Sequence, residues 1–150
     1  MKLGDHIPTF SLEDNKGNWF NSDEFLYKKY FVLFFYPMDF TPMCTKEVCQ
    51  FRDVNAEFNA LDAVIVGING QSISSHEKFY SKHQLNFPLL SDKGAKLSKL
   101  LGIKKKFGLI TPRETFVFNK QGKLIKHIVS NVAETHIEEA MKAIKKDQEN

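Results

Sequence analysis

The two cysteines of the chain, Cys44 and Cys49, lie five positions apart in one short segment. The segment follows an apolar run from Tyr30 to Tyr36 that is typical of a buried strand, and it opens an amphipathic stretch that is typical of a helix. Unpaired backbone N–H groups and the helix dipole favour a thiolate at the start of a helix. The pattern therefore predicts a redox site, with a reactive thiol at Cys44 and a second thiol that can trap its oxidised product.

The spacing of the cysteines argues against a permanent disulfide. Along a helix, five residues rise about 7.5 Å and rotate about 140°, whereas the Cα atoms of a disulfide lie about 4.4–6.8 Å apart. Cys44 and Cys49 can therefore bond only if the turn between them unwinds. Two incidental buried thiols are the alternative, because spacing alone does not require reactivity.

Composition indicates an ordinary globular protein. The 150 residues are 42% hydrophobic and 26% charged, which predicts one domain over residues 1–150. A net charge of +3 without a dense basic stripe disfavours a nucleic-acid-binding protein. No apolar run approaches the ~20 residues that span a bilayer, and the N-terminus lacks the apolar centre of a signal peptide. We therefore expect a cytoplasmic protein, where lone cysteines are catalytic, redox-sensing or incidental.

Apolar periodicity and turn residues predict an α/β fold. The predicted elements are a hairpin over residues 10–21, a strand over 30–36, a helix from about Thr41 to Leu61, a strand over 63–69, a helix over 74–83, a short strand or connection over 87–90, a short helix over 95–101, a hairpin over 115–129 and a helix over 135–146. Thr41 is placed to cap the long helix and Pro42 to begin it. A βαβ half followed by a ββα half is the thioredoxin-like arrangement, here extended by an N-terminal β-hairpin.

Four residues form a motif that includes the first cysteine. They are Pro37, Thr41 and Cys44, in the pattern Pro37-x-x-x-Thr41-x-x-Cys44, and the distant Arg113. The motif resembles the active site of the peroxiredoxin family, which places an arginine beside its reactive thiolate. The spacing of Cys44 and Cys49 resembles that of the subgroup called bacterioferritin comigratory protein or peroxiredoxin Q. In that subgroup the resolving cysteine lies five residues after the peroxidatic one.

The resemblance implies a role for each residue of the motif. Cys44 attacks the peroxide O–O bond as a thiolate and becomes a sulfenic acid, while Arg113 stabilises the thiolate and the charge developing on the peroxide oxygens. Thr41 orients the peroxide, Pro37 shields the thiol from bulk water, and Glu47 holds Arg113. Read alone, four of these residues have plainer interpretations. Thr41 is then a helix cap and Pro37 a proline that ends a strand. Glu47 is a solvated glutamate, and Arg113 belongs to a surface ion pair.

The implied activity is thiol peroxidase. The chain is expected to reduce hydrogen peroxide and organic hydroperoxides, to form an internal disulfide, and to be recycled by thioredoxin or a similar dithiol protein. An internal resolving cysteine favours a monomer. The five histidines are scattered, make no close metal-ligand spacing with the cysteines, and are expected to be surface or hydrogen-bonded residues. No flavin, haem or metal is called for. A redox sensor or holdase, and a general disulfide reductase, are the alternatives, although the reductase chemistry usually uses Cys-x-x-Cys.

Two residues depart from the pattern of the subgroup. Met43 stands where glycine is usual, and Phe40 stands where a small polar residue is common. Neither change removes a catalytic group, but both place apolar bulk beside the thiol. They bear on the preferred peroxide and on how easily the helix unwinds.

Overall fold

Strands and helices alternate around a central mixed sheet. The computed structural model describes residues 1–105 and 111–150. The strands in these ranges are β1 (Ser11–Glu13), β2 (Trp19–Asn21), β3 (Tyr30–Phe35), β4 (Ala63–Asn69), β5 (Leu89–Ser91), β6 (Glu114–Phe118) and β7 (Leu124–Val129). The α-helices are α1 (Pro42–Ala60), α2 (Ile73–Lys82), α3 (Lys96–Leu100) and α4 (Ala133–Gln148). None of these helices combines the length and the apolar character needed to cross a membrane.

The sheet joins a parallel half to an antiparallel half. Its order is β5-β4-β3-β6-β7, and β1 and β2 form a separate hairpin. Strands β3, β4 and β5 pair in parallel, whereas β6 pairs antiparallel with both β3 and β7. The parallel strands are connected through α1 and α2, and α4 follows β7. The predicted α/β class, with a βαβ half, a ββα half and an N-terminal hairpin, is confirmed.

Strand β3 separates two apolar cores. All six of its residues are buried, and successive side chains of a strand point to opposite faces of the sheet. One face, which we call the site-side core, includes Val32, Phe34, Cys44, Val48, Phe51, Phe58, Phe79, Val117, Ala140 and Ile144. The other, the far-side core, includes Ile7, Phe10, Phe20, Phe31, Leu33, Phe35, Leu97, Leu101 and Phe116. Helices α1, α2 and α4 cover the first core, and the hairpin and α3 cover the second.

A glycine in β4 lets an aromatic ring fix the position of α1. A Cβ atom on Gly67 would lie 2.7 Å from Cζ of Phe34, so a larger residue does not fit there. The ring of Phe34 stacks on that of Phe51, with centroids 4.4 Å apart. This contact holds α1 against β3 about two helical turns beyond Cys44.

Candidate active site

Cys44 lies in the first turn of α1, directly after the sheet. Thr41 has extended backbone angles, and its Oγ1 accepts a hydrogen bond from the Cys44 backbone N–H at 3.4 Å. Pro42 begins the helix at a position where its missing N–H group costs little. The side chain of Cys44 is fully buried. The sequence signals for the start of this helix are confirmed, and they place the thiol where unpaired backbone N–H groups favour negative charge.

Arg113 bridges the thiol and a buried carboxyl group. It immediately precedes β6, whose residue Glu114 pairs with Phe35 at the end of β3, so its side chain reaches the start of α1. Its Nη2 donates to Cys44 Sγ at 3.2 Å, and its Nη1 donates to Glu47 Oε1 at 3.2 Å. Arg113 is 9% exposed and Glu47 is fully buried. A cation in this dry setting stabilises negative charge on the sulfur.

Glu47 is held in an unusual electrostatic state. Burial raises the pKa of its carboxyl to about 7, although the Arg113 guanidinium opposes the rise. Its Oε2 lacks a hydrogen-bond partner among the described residues, and His136 Nε2 lies 3.7 Å from it. The sequence left a solvated glutamate as the plainer interpretation of Glu47, and that interpretation is wrong because α1 turns this residue toward Arg113.

A buried histidine lies behind Glu47. The Nε2 of His136 faces the Ser130 carbonyl oxygen at 2.7 Å, and its Nδ1 faces Thr115 Oγ1 at 2.8 Å. A carbonyl oxygen only accepts, so Nε2 carries the hydrogen and the hydroxyl donates to Nδ1. Burial lowers the pKa of His136, the charge of Arg113 acts in the same direction, and the bond to Ser130 opposes both. No local sequence signal links this residue to the site, because only the docking of α4 brings it there.

The raised pKa of Glu47 predicts a pH dependence of stability. The folded state holds this proton more tightly than an unfolded chain with a pKa of 4.5, so the stabilisation is complete below that pH and is lost as pH rises through about 7. Glu47→Gln keeps an oxygen acceptor for Arg113 and cannot ionise. The variant should therefore gain about 3 kcal/mol of unfolding free energy relative to the wild type between about pH 4.5 and pH 8.

Urea unfolding of both proteins across this pH range measures the difference. Glu57→Gln is the matched control, because Glu57 lies on the exposed face of the same helix. The control should track the wild type at every pH. If the unfolding free energies of the wild type and Glu47→Gln vary with pH in parallel, Glu47 ionises in the folded protein as it does in the unfolded chain.

Cys49 lies further along α1, outside the contacts of the arginine. Both cysteines are free thiols, and Cys49 is half-buried. Its neighbours Val48 and Phe51 point into the site-side core. Burial raises the pKa of the Cys49 thiol, Arg52 opposes this and Asp53 adds to it. Because α1 runs unbroken from Pro42 to Ala60, the spacing keeps the two sulfurs from bonding while the helix is intact.

Several apolar residues that precede Cys44 in the chain are at least partly exposed. Pro37 is half-buried after the end of β3. Met38, Phe40 and Met43 are 48%, 45% and 54% exposed, which is high for side chains of this size. A cavity of about 210 Å³ runs between Met43, Arg113 and the start of α4. Both departures from the subgroup pattern, Phe40 and Met43, are thus exposed, and Met43 lines this cavity.

The fold and this arrangement define a thiol-based redox enzyme built on a thioredoxin-like sheet. Residues 3–127 match the AhpC/TSA family. Peroxiredoxin Bcp of Bacillus subtilis (strain 168) is 41% identical over 148 residues, which cover 95% of this chain and 87% of that protein. The chloroplastic peroxiredoxin Q of Populus jackii is 39% identical over 147 residues, which cover 96% of this chain and 68% of that protein. The crystal structure of peroxidoxin BcpB from Mycobacterium tuberculosis superimposes with a TM-score of 0.90 at 33% identity, over 97% of each chain.

The chain belongs to the AhpC/TSA family. Its similarity to the Bcp and Q peroxiredoxins extends over nearly its whole length, and the resemblance drawn from the motif is confirmed. The activity that follows is that of a thiol peroxidase. A general disulfide reductase and a sensor without turnover are correspondingly disfavoured.

Proposed function

We propose that Cys44 is the peroxidatic nucleophile for hydrogen peroxide and organic hydroperoxides. The observation that carries this assignment is the 3.2 Å contact between Arg113 Nη2 and the buried Cys44 Sγ at the start of α1. The thiolate attacks one peroxide oxygen, so that an S–O bond forms and the O–O bond breaks. The leaving oxygen takes a proton and departs as water or an alcohol, and Cys44 becomes a sulfenic acid.

Each residue around the thiol has a separate role in binding the peroxide or in stabilising charge. Arg113 stabilises the charge that builds on the leaving oxygen, and Glu47 holds its second nitrogen at 3.2 Å. Thr41 accepts from the Cys44 N–H through Oγ1, which leaves its hydroxyl hydrogen free to donate to the peroxide. Pro37 covers the thiol from bulk water, and the exposed apolar residues nearby suit the alkyl group of an organic hydroperoxide.

Cys49 resolves the sulfenic acid in this proposal. Its thiol attacks the oxidised Cys44 sulfur, an S–S bond forms, the S–O bond breaks, and water leaves. The spacing requires the first turns of α1 to unwind for this step. The half-buried position of Cys49, away from the core contacts of Val48 and Phe51, supports an easy exit from the helix. A thioredoxin-like dithiol then takes the disulfide by thiol exchange and restores both thiols.

The proposal also covers the domain, the oligomeric state and the compartment in which the reaction takes place. Residues 1–150 act as one catalytic domain and work as a monomer, because both reacting thiols belong to the same chain. A cytoplasmic setting suits free thiols that a thioredoxin-type protein keeps reduced.

Mass spectrometry of peroxide-treated protein tests the resolving role. Wild type should lose about two mass units and stay monomeric, because one disulfide replaces two thiols. In Cys49→Ser the disulfide cannot form, so Cys44 should gain one oxygen and then a second as peroxide rises. Ala56→Ser is the control, since it adds a hydroxyl to the exposed part of α1 and leaves both thiols in place. Disulfide-linked dimers as the sole product of wild type would rule out Cys49 as an internal resolving residue.

A further inference from the structure

A buried carboxylate anchors the loop over residues 37–41, which we call the active-site loop because it connects β3 to the start of α1. Asp39 is 4% exposed. Its Oδ1 accepts from the Tyr36 hydroxyl at 2.5 Å, and its Oδ2 accepts from Ser75 Oγ at 2.7 Å and from His76 Nδ1 at 2.8 Å. Burial and the nearby Asp39 raise the pKa of Tyr36 well above its ordinary value, which keeps the phenol a donor. Three donors thus converge on one carboxylate.

His76 forms a buried hydrogen bond with Asp39. Its side chain is fully buried, and Nε2 faces the Leu90 carbonyl oxygen at 3.1 Å. Burial acts to raise the pKa of Asp39, but the hydrogen bond and charge of His76, with the bonds from Tyr36 and Ser75, hold that pKa below its ordinary value. The two ring nitrogens of His76 thus lie within hydrogen-bond distance of Asp39 and of the Leu90 carbonyl oxygen. The ring therefore links the active-site loop to α2 and β5.

The residue after Asp39 is strained and is held by the same helix. Phe40 has a φ of +67°, in the left-handed region that side chains with a Cβ rarely occupy. Its ring packs edge-on against Phe79, with centroids 5.0 Å apart, and the Lys82 ammonium lies 5.9 Å from its centroid. Phe79 and Lys82 belong to α2, as His76 does. One helix thus keeps a strained loop in place through two adjacent residues.

We propose that Asp39 and His76 are positioning residues that latch the active-site loop over Cys44, and that the latch opens when Cys44 moves to meet Cys49. In the latched state, the loop holds Pro37 and Thr41 in the geometry that receives peroxide. In the open state, the strain at Phe40 is released, and the start of α1 is free to unwind. This inference rests on the proposed Cys44–Cys49 disulfide.

The latch gives the two half-reactions opposite responses to the same change. Weakening it lowers the population that reacts with peroxide and raises the population that forms the disulfide, because the two states share one equilibrium. A substitution that merely loosens the fold has no reason to accelerate either step. The direction of the two rates therefore separates a positioning role from a structural one.

Asp39→Asn tests the latch, because it removes the charge and nearly preserves the shape. Rapid mixing with peroxide, followed by acid quench and mass spectrometry, measures sulfenic acid formation and disulfide formation as separate rates. We expect the first rate to fall and the second to rise, so that the ratio of the second rate to the first increases by about tenfold or more, in the usual range for coupled conformational states. Over-oxidation of Cys44 should then require correspondingly more peroxide. His76→Asn, which keeps one N–H donor, should show the same signs with smaller changes.

Asp92→Asn is the matched control. Asp92 is also a buried carboxylate, but it accepts from the Leu97 and Ser98 backbone N–H groups at the start of α3. This control should lower stability and leave both rates unchanged. The latch is wrong if Asp39→Asn slows both steps or changes neither while wild type still forms its internal disulfide. A wild type that forms no such disulfide contradicts the proposed resolving chemistry itself.

Discussion

Replacing Cys44 by serine is expected to abolish peroxide turnover. A serine hydroxyl stays protonated near neutral pH and is a far weaker nucleophile than a thiolate. Cys44 is also the thiol that Arg113 contacts, since Cys49 lies further along α1. Turnover should fall by at least about 10³-fold, as it does when an enzyme loses its nucleophile. The loss of peroxide in the presence of thioredoxin and its reductase measures the effect.

Cys49→Ser is the matched control for this experiment, because it makes the same chemical change one and a half turns away. It should still consume about one peroxide per chain in a single turnover, and then fail to cycle with the dithiol reductant. Turnover of Cys44→Ser near the wild-type rate would show that another residue carries the chemistry.

Removing the side chain of Arg113 is expected to produce the second large loss. Arg113→Ala deletes the cation at 3.2 Å from Cys44 Sγ, which in the proposed mechanism also donates to the peroxide. Loss of one such donor typically slows chemistry by about 10²–10³-fold. The rate of Cys44 oxidation in a single turnover, followed across pH, should fall by this factor. A pH–rate profile identical to that of the wild type would exclude Arg113 from the site.

Three further variants isolate the cause of that loss. Arg113→Lys keeps the charge but not the two-pronged geometry that reaches both Cys44 and Glu47, so its rate should lie in between. Arg113→Ala combined with Glu47→Gln also removes the buried ionisable group that the single variant leaves without its partner. Arg52→Ala deletes a guanidinium that contacts Asp53 and a backbone carbonyl outside the site, and it should oxidise at the wild-type rate.

The sequence predicted the elements that local chemistry determines. Thr41 and Pro42 carry their own signals for a helix start, and the apolar run over 63–69 coincides with β4. The short strand was predicted over 87–90, whereas β5 spans Leu89–Ser91. Its bounds follow from pairing with the end of β4, and a three-residue element has no periodicity of its own to reveal them.

The sequence could not predict contacts that depend on how helices dock. Asp39 and His76 were not singled out, because their pairing exists only when α2 packs beside the active-site loop. The place of His136 behind Glu47 likewise depends on α4. The sequence leaves the burial of Glu47 open for the same reason, since a glutamate near the start of a helix is usually solvated. In each case the partner lies far away in the chain, and the motif around Cys44 contains no residue that predicts the contact.

The division of the molecule by β3 has a practical consequence. The parts that move in the proposed cycle all belong to the face of the site-side core. The hairpin of β1 and β2 packs on the opposite face, and its residue Trp19 is 61% exposed. That hairpin is therefore a natural point for fixing the enzyme to a bead or an electrode with the active-site face toward the solution. A peroxide sensor built this way would leave the moving parts untethered.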